Sequence, residues 1–418
     1  MKHVNVKNNI VVSFLPFLWL LIMAVSLTGC RPEEDKQQEL DYPQGLKQIH
    51  AEAFFEQNLT GNNIKIGILD FGFASMDEDP SLRHLRKDGQ IVMIKDYTHG
   101  DSASLFKNIH GTKVLRYMAG IRPDDNIYRN NLASGARFYL FMVTRNFDKN
   151  SDERETEYVI DSALNDLFSL GVRVVNLSMG FWDEYSDDHE NYHPEEMNGR
   201  TTVITKICEK WARRGMVIIN SAGNTGEYSW KIIWAPSDAP DVISIGAARF
   251  PDKVFKASYS ARGNPAIPYV KPDLIAFSPW GTSFSAPVIT GIVACMLQKD
   301  STLTLRQIRN ILYRSSTLYP YPNNFVGYGI PDARKILVLL DHPGKDVSSV
   351  TRLSVKGRKI TVPASSPNNV IFEKSTSYLV RKQYIDEAGD GNVTVTRKKG
   401  VAFTTIVLGE RVLEICWE

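Results

Sequence analysis

Four short segments of this chain carry side chains that could together attack a carbonyl carbon. They hold Asp70, His110, Asn224 and Ser283. A serine hydroxyl is a weak nucleophile until a base accepts its proton, and an imidazole can be that base when a carboxylate fixes its tautomer. The Asn224 amide and the backbone N–H of Ser283 could donate to the oxyanion formed in the attack. These residue types predict acyl transfer through serine, the chemistry that cleaves peptide bonds.

The order of these residues along the chain separates the folds that carry such chemistry. An α/β-hydrolase places serine first, within Gly-x-Ser-x-Gly, and chymotrypsin-like enzymes run histidine, aspartate, serine. Here the order is Asp70, His110, Ser283, and the segment Gly281–Ser285 ends in serine where the hydrolase motif needs glycine. Both alternatives are disfavoured, and the third known order, aspartate, histidine, serine, remains.

The elements that must position these residues alternate between strand and helix. Several apolar runs lack polar alternation, as expected for strands buried on both faces of a parallel sheet. These runs are residues 64–69, 138–143, 172–177, 216–219 and 242–245. Residues 153–170 and 201–214 have helical patterns with a glycine directly after each. The pattern predicts an α/β fold with a doubly wound, mostly parallel sheet, whose functional groups gather at the carboxyl ends of strands.

Further segments around the candidate residues occur in a recognisable order. They are residues 64–70, 110–114, 118–120, 175–180, 221–224, 241–247, 258–263, 271–274, 281–287 and 327–333. On these motifs, residues 42–340 resemble the subtilases, the family of subtilisin-like serine peptidases. The resemblance implies a serine endopeptidase in which Asp70 orients the imidazole, His110 is general base and then acid, Ser283 forms the acyl-enzyme, and Asn224 holds the oxyanion.

The resemblance also implies a site for an extended polypeptide substrate. Ser178, Met179 and Gly180, with Gly223, would bind that chain as an added strand. No cofactor is required; structural calcium is frequent in the family, but no calcium or other metal site can be assigned to residues of this sequence. The alternative function is that of a catalytically disabled subtilase-fold protein that binds peptides.

Three departures from the family pattern fall near the cleft. Phe71 stands where the family usually has Ser or Thr after the catalytic aspartate, and residues 274–281 are shorter than usual, so that Trp280 could build one wall. Residues 181–200 form an enlarged polar loop that is expected to border the substrate. His189 and His193 of this loop could in principle bind a metal, but a solvated acidic rim is favoured because no ligand spacing stands out.

The N-terminus resembles that of a bacterial lipoprotein. An apolar run over residues 10–26 is followed by Leu-Thr-Gly-Cys ending at Cys30, which resembles a lipobox. This predicts a signal peptide over residues 1–29, and a lipidated Cys30 that begins a tether over 30–41 and anchors the enzyme to a membrane. A plain membrane anchor is the alternative. The acidic run after Cys30 resembles surface-export signals of Bacteroidetes lipoproteins, or it is a disordered polar tether. We therefore predict a lipid-anchored protein of the bacterial cell envelope, displayed on the outer-membrane surface if the acidic run is an export signal.

Residues 345–418 have a different pattern of residue types from the segment before them. Polar and β-branched residues alternate there, with turn candidates at Lys356-Gly357 and Asp390-Gly391, which predicts a small antiparallel β module of unknown role. The formal net charge of +2 gives no reason to predict nucleic acid as a partner. With Cys30 lipidated, three widely spaced cysteines remain and do not suggest a disulfide framework.

Overall fold

A mainly parallel eight-stranded sheet organises the larger part of the molecule. The computed structural model describes residues 44–98, 108–123, 126–143, 153–183, 191–364, 367–387 and 391–418. The strands of this sheet are β1 (Lys65–Asp70), β2 (Ile91–Asp96), β3 (Arg137–Met142), β4 (Val174–Leu177), β5 (Val217–Ser221), β6 (Ile243–Phe250), β7 (Lys253–Lys256) and β8 (Leu274–Phe277). They lie in the order β2-β3-β1-β4-β5-β6, with β7 and β8 both paired to β6. Only the β6–β7 pair is antiparallel among these described strands, so the predicted mostly parallel sheet is confirmed.

Helices cover both faces of this sheet. They are α1 (Glu52–Glu56), α2 (Arg83–Lys87), α3 (His110–Ala119), α4 (Glu153–Ser169), α5 (Val203–Arg213), α6 (Thr282–Lys299), α7 (Leu305–Ser315) and α8 (Ala333–Asp341). Side chains of the central strands alternate between two cores: Val217 and Ile219 pack into the core that holds α3 and α6, and Ile218 packs into the core that holds α4 and α5. Because each strand is buried on both sides, it is apolar without alternation, and the doubly wound fold is confirmed.

The helix α6 runs through the interior of the molecule. Its side chains from Thr282 to Leu297 are all buried, which fits a helix that is apolar on every face. Gly281 begins it with a φ of +147°, a backbone conformation that favours glycine. Gly291 permits close packing, since a Cβ there would lie 2.6 Å from Leu132 Cβ. The nucleophile candidate Ser283 thus stands on the first turn of a helix held rigidly from all sides.

The C-terminal part forms two further sheets. Their strands are β9 (Val350–Val355), β10 (Lys359–Pro363), β11 (Asn368–Lys374), β12 (Val380–Glu387), β13 (Asn392–Thr396), β14 (Phe403–Leu408) and β15 (Arg411–Trp417). A five-stranded sheet has the order β12-β11-β14-β15-β9, and β10 pairs with β13. All these pairs are antiparallel except β15 with β9. The predicted antiparallel module is confirmed. It contains one parallel pair, β15 with β9, because the chain reaches β9 from α8 and not through a hairpin.

This C-terminal sheet shares the core of the larger sheet. Phe372 and Val412 belong to the same continuous apolar cluster as α3 and α6. The side chain of Gln383 accepts from Lys256 N at 3.1 Å and donates to Lys256 O at 2.9 Å. Residues 42–418 form one compact unit, and the domain boundary between 340 and 345 stays a prediction. Within the described ranges no helix has the length and apolar character to cross a membrane.

Candidate active site

A buried carboxylate and an imidazole meet at the carboxyl edge of the parallel sheet. Asp70 is the last residue of β1 and is fully buried. Its Oδ1 lies 2.7 Å from His110 Nδ1 and also accepts from the backbone N–H of Phe71 at 2.7 Å. Because an ionised carboxylate only accepts, His110 donates from Nδ1 and its Nε2 is left as a proton acceptor. The pair is therefore arranged as a general base with its orienting group.

The sequence His110-Gly111-Thr112 locks α3 onto the segment after β1. The backbone N–H of Gly111 donates to Gly72 O at 2.9 Å, and Thr112 Oγ1 donates to Ala74 O at 2.7 Å. A Cβ on Gly111 would lie 2.5 Å from Gly72 O, so no larger residue fits this approach. Asn108 Oδ1 accepts from His110 N at 2.7 Å and satisfies one free N–H of the first turn. Each of these contacts fixes the imidazole relative to Asp70.

Ser283 is held against the end of β4. Its Oγ donates to Ser178 O at 3.3 Å, and Ser178 Oγ donates back to Ser283 O at 3.0 Å. Pro287, four residues on, has no N–H for the Ser283 carbonyl, so the Ser178 hydroxyl takes the place of a helical hydrogen bond. Within the described residues, Ser283 Oγ is hydrogen-bonded to a backbone carbonyl and not to His110.

Aromatic contacts link His110 to the turn that carries Ser283. Phe284, directly after Ser283, has its ring centroid 5.6 Å from that of His110. Phe71 meets the same imidazole edge-on at 5.4 Å, and Tyr117 stacks on Phe284 at 5.0 Å. His110 keeps a quarter of its side chain exposed. The ring is thus confined between two phenylalanines, and part of it stays open to solvent.

The amide of Asn224 is fixed with its oxygen inward. Asn224 Oδ1 accepts from both Thr282 N and Thr282 Oγ1 at 3.0 Å. The same threonine hydroxyl accepts from Gly223 N at 3.1 Å. Since the oxygen is taken, Nδ2 is left as a donor beside the first turn of α6, where the Ser283 N–H has no helical acceptor. Two such donors can together stabilise an oxyanion at the serine, which is the role that the sequence analysis expects of them.

Known proteins share this arrangement of strands and motifs. A model of the subtilase family matches residues 61–329. The chain belongs to the subtilase family. It is 26% identical to subtilisin DY of Bacillus licheniformis over 285 residues, which cover 66% of this chain and 91% of that protein. It is 25% identical to subtilisin E of Bacillus subtilis strain 168 over 299 residues, which cover 69% of this chain and 68% of that protein.

A solved structure also has this fold. The CspB protease of Clostridium perfringens is similar with a TM-score of 0.53 at 16% identity, over 68% of this chain and 96% of that one. This likeness supports the fold of the subtilase and does not extend to its substrates.

The substrate-binding candidates of this subtilase lie on two neighbouring strand ends. Ser178, Met179 and Gly180 follow β4, and Gly223 follows β5, which pairs with β4 in parallel. The side chains of Ser178 and Met179 are buried, so this segment can offer only its backbone to a ligand. Trp234, which the sequence analysis did not single out, lies against both Gly180 and Gly223.

The departures from the family pattern have distinct places in this subtilase. Trp280 is 38% exposed and precedes the nucleophile turn. Of the polar loop, residues 184–190, with His189, lie outside the described residues. In its described part Tyr192 and Met197 are buried, and His193 begins the short 3-10 helix Pro194–Glu196. No group of three or more metal-ligating side chains is clustered within the described ranges.

A buried lysine supports the turn before Ser283. Lys256 Nζ donates to Ala257 O at 2.8 Å, Ser258 O at 3.2 Å and Ser260 O at 2.7 Å. Burial lowers the pKa of Lys256 to about 8, so its ammonium is still mostly protonated at neutral pH. Tyr259 of this loop donates to Ser278 O and accepts from Gly281 N at 3.2 Å. Burial raises the pKa of Tyr259 to about 12, which keeps its hydroxyl a donor.

Sequence reasoning missed three contributors to this site. Thr282 lies within the motif of residues 281–287, but its residue type alone indicates no role; in the structure its hydroxyl joins the loop at Asn224 to α6. Lys256 and Trp234 lie in segments without a motif. A lysine at the end of a short strand, and an aromatic residue in a loop between two strands, were the available signals, and neither indicates a partner without the fold.

Proposed function

We propose that this subtilase is an active serine endopeptidase. The observation that carries the proposal is the 2.7 Å contact between His110 Nδ1 and the buried Asp70 carboxylate, at the sheet edge where Ser283 lies in the first turn of α6. Family membership implies a peptidase acting on polypeptides. The proposed reaction needs no cofactor, because nucleophile, base and oxyanion donors are all groups of this chain.

The reaction proceeds through an acyl-enzyme. Ser283 Oγ rotates from the Ser178 carbonyl to His110, attacks the substrate carbonyl and passes its proton to Nε2, while Asp70 stabilises the imidazolium. Asn224 Nδ2 and the Ser283 N–H donate to the oxyanion. His110 then protonates the leaving amine, and water activated by the same imidazole hydrolyses the ester. Hydroxyl rotation is a small motion, and catalytic hydrogen bonds are often poorly aligned before substrate binds.

The position of the backbone after β4 favours cleavage within a chain. The carbonyl of Ser178 lies next to Ser283, so a substrate strand that pairs with residues 178–180 brings its scissile bond to the nucleophile. A chain bound in this way extends beyond the site in both directions. We therefore favour endopeptidase activity over removal of terminal residues.

The rival is a disabled member that binds peptides without cleaving them. The observation that favours it is the contact of Ser283 Oγ with Ser178 O, which leaves the hydroxyl unpaired with its base. Phe71 and Phe284 confine the His110 ring on two sides and could hold the pair apart. The intact set of side chains and the free Nε2 weigh against this rival.

Cleavage of a quenched-fluorescence peptide library by full-length protein in detergent separates the two functions. We expect turnover by the wild type and a loss of at least about 10⁴-fold in kcat/KM for Ser283→Ala. A folded wild-type protein that binds library peptides with no turnover would establish the rival function. Equal turnover by Ser283→Ala would show that the activity comes from a contaminant or another residue.

We also propose that the protein is a lipoprotein of the bacterial envelope. The lipobox-like segment ending at Cys30 supports lipidation, and the acidic run after it supports display at the outer-membrane surface; both lie outside the described residues. Metabolic labelling with an alkyne fatty acid should mark the wild type and not Cys30→Ser. Digestion of intact cells by added protease should then remove the protein if it is displayed outside, whereas full protection would place it on an inner face.

A further inference from the structure

Two neighbouring strands part at the candidate site and leave a recess between their extensions. β4 and β5 are paired in parallel up to Leu177 and Asn220. Beyond that register, residues 178–180 and 222–224 continue on either side of the recess. Glycine occurs in both segments, as Gly180 and Gly223, and Gly223 has a φ of +108°. The walls of the recess are therefore bare backbone at these two points.

The indole of Trp234 fills this recess. A Cβ on Gly223 would lie 2.6 Å from Trp234 Cδ2, and a Cβ on Gly180 would lie 2.9 Å from both Cβ and Cε3 of the same tryptophan. These distances are below those of real Cβ contacts, so the indole touches both glycines directly. Trp234 is half-buried, so part of the residue stays accessible to solvent.

The position of Trp234 is fixed from several directions. Its backbone N–H donates to Ala222 O at 3.1 Å, and the next residue, Ala235, exchanges hydrogen bonds with Phe181 at 2.9 and 3.1 Å. Its Nε1 donates to Thr225 Oγ1 at 2.9 Å. Trp182 stacks on it at 5.2 Å with ring planes 8° apart. An indole held by both recess walls, a hydroxyl and a stacked ring does not swing aside at small cost.

We infer that Trp234 determines specificity by restricting the residue on the acyl side of the cleaved bond to small side chains. This inference rests on the proposed peptidase function. A carbonyl attacked by Ser283 directs its oxygen to Asn224 Nδ2, and its chain runs along residues 178–180. The side chain on the same residue then points between that segment and residues 222–224, which is the space that the indole occupies. Glycine, alanine and serine fit there, and phenylalanine or leucine does not.

The test compares two substrates that differ only at this residue. Full-length protein is assayed with succinyl-Ala-Ala-Pro-Ala and succinyl-Ala-Ala-Pro-Phe p-nitroanilides. We expect the wild type to favour the alanine substrate by at least about 10-fold in kcat/KM, and Trp234→Ala to raise the ratio of phenylalanine to alanine by at least about 10-fold. A wild type that cleaves the phenylalanine substrate as well as the alanine one would overturn the inference.

A second variant and a matched control distinguish a change in specificity from a general loss of folding. Trp234→Leu leaves part of the recess filled and should shift the preference in the same direction by a smaller factor. Trp230→Ala removes a tryptophan that packs on Trp182 at 5.6 Å but is not among the near contacts of either glycine. It should lower stability without changing the ratio. A ratio shifted equally by Trp230→Ala would indicate general loosening and would contradict a specific role of Trp234.

Binding separates failure of this inference from failure of the proposed function. If neither the wild type nor Trp234→Ala is labelled by a fluorophosphonate at Ser283, the peptidase function fails. The inference is then judged on the affinities of acetyl-Ala-Ala-Pro-Ala and acetyl-Ala-Ala-Pro-Phe, measured by calorimetry. Tighter binding of the phenylalanine peptide only after Trp234→Ala supports the inference. Equal affinities in both proteins, or no binding by either peptide, overturn it.

Discussion

The buried carboxylate of Asp70 is hydrogen-bonded through one oxygen. Oδ1 accepts from His110 and from Phe71 N, while Oδ2 is buried without a hydrogen-bond partner among the described residues. Phe71 stands where a hydroxyl residue is usual in the family, and its ring packs against His110 instead. The carboxylate therefore depends on the imidazole for its main side-chain contact, and the imidazole depends on the carboxylate for its tautomer.

At this scale we predict that Asp70→Asn lowers kcat by about 10⁴-fold with little change in KM. An amide can donate to Nδ1, and the imidazole would then carry its proton on Nε2, where it cannot accept one from Ser283. Steady-state peptide hydrolysis at pH 7.5 measures the effect. Asp161→Asn is the matched control, because that carboxylate accepts from Trp211 Nε1 between α4 and α5. A KM change without a kcat loss would place Asp70 in substrate binding.

Residue types and chain order predicted which residues lie at the candidate site, but not every orientation within it. Each of the four candidate residues, Asp70, His110, Asn224 and Ser283, occurs in a short motif. The glycines and hydroxyl groups of these motifs make contacts close to the site, such as the approach of Gly111 to Gly72. The rotamer of Ser283 Oγ depends on the end of β4, more than 100 residues away. The place of Trp234 depends on two loops at once. Such long-range contacts leave no periodic signal in a sequence.

At the scale of elements, the loop after β7 supports the turn that carries Ser283. Lys256 binds three carbonyl oxygens of residues 257–260, and Tyr259 of the same loop contacts Ser278 and Gly281 on either side of Trp280. An ammonium group with three carbonyl ligands has the role that a bound cation often has in proteins. Its removal would leave buried acceptors unpaired.

We predict that Lys256→Met lowers the free energy of unfolding by about 2 to 4 kcal/mol. Methionine keeps much of the length of lysine but donates no hydrogen bond. Urea denaturation followed by circular dichroism measures the change, and kcat/KM should fall as well because the turn at Gly281 loses support. Lys253→Met is the control on the same strand, since its partner Asp252 is exposed and such pairs contribute less than about 1 kcal/mol. Equal losses for the two variants would contradict this account.

Helix α2 provides a pH-dependent contribution to stability. Burial lowers the pKa of His84 below its ordinary value of 6.5. As the pH falls through 6.5, the unfolded chain takes up a proton at this residue before the folded protein does, so the free energy of unfolding decreases. We predict that His84→Gln reduces the fall in Tm between pH 7.5 and 5.5. His342→Gln, at an exposed position, should leave that fall unchanged, and an unchanged slope for His84→Gln would refute the prediction.

The sequence predicted the buried strands better than the exposed edge strand, and better than the way the strands pair. Runs such as residues 64–69 and 216–219 are apolar because both faces of β1 and β5 are covered, and this burial is visible in the sequence. The edge strand β2 alternates between half-buried and exposed residues, and no pattern predicted it. The sequence also did not predict that β9 pairs with β15 in parallel. The direction of strand pairing depends on the path of the connecting chain and not on local composition.

At the scale of the whole molecule, the C-terminal sheet is built into the subtilase fold. Asn324 Oδ1 accepts from Val380 N at 2.8 Å, and Asn324 N donates to Tyr378 O at 2.9 Å. Apolar residues of β11, β12 and β15 belong to the main core. These contacts support stabilisation as the role of residues 345–418, over substrate binding or shielding of the cleft.

We therefore predict one cooperative unfolding transition for the described part of the chain. Asn324→Ala should lower the Tm of that single transition and destabilise the protein by about 1 to 3 kcal/mol, because it leaves the buried Val380 N–H unpaired. Differential scanning calorimetry gives both the number of transitions and the ratio of calorimetric to van't Hoff enthalpy. Two transitions, with only one moved by the substitution, would mean that the C-terminal sheet folds as a separate domain.

The central claim is that His110, held by Asp70, activates Ser283. The most direct measurement is labelling of the full-length protein by a fluorophosphonate, with the modified residue located by tandem mass spectrometry. The account predicts phosphonylation of Ser283, abolished in Ser283→Ala and slowed by at least about 10³-fold in His110→Ala. A folded wild-type protein that stays unlabelled, or one labelled equally fast without His110, would contradict it.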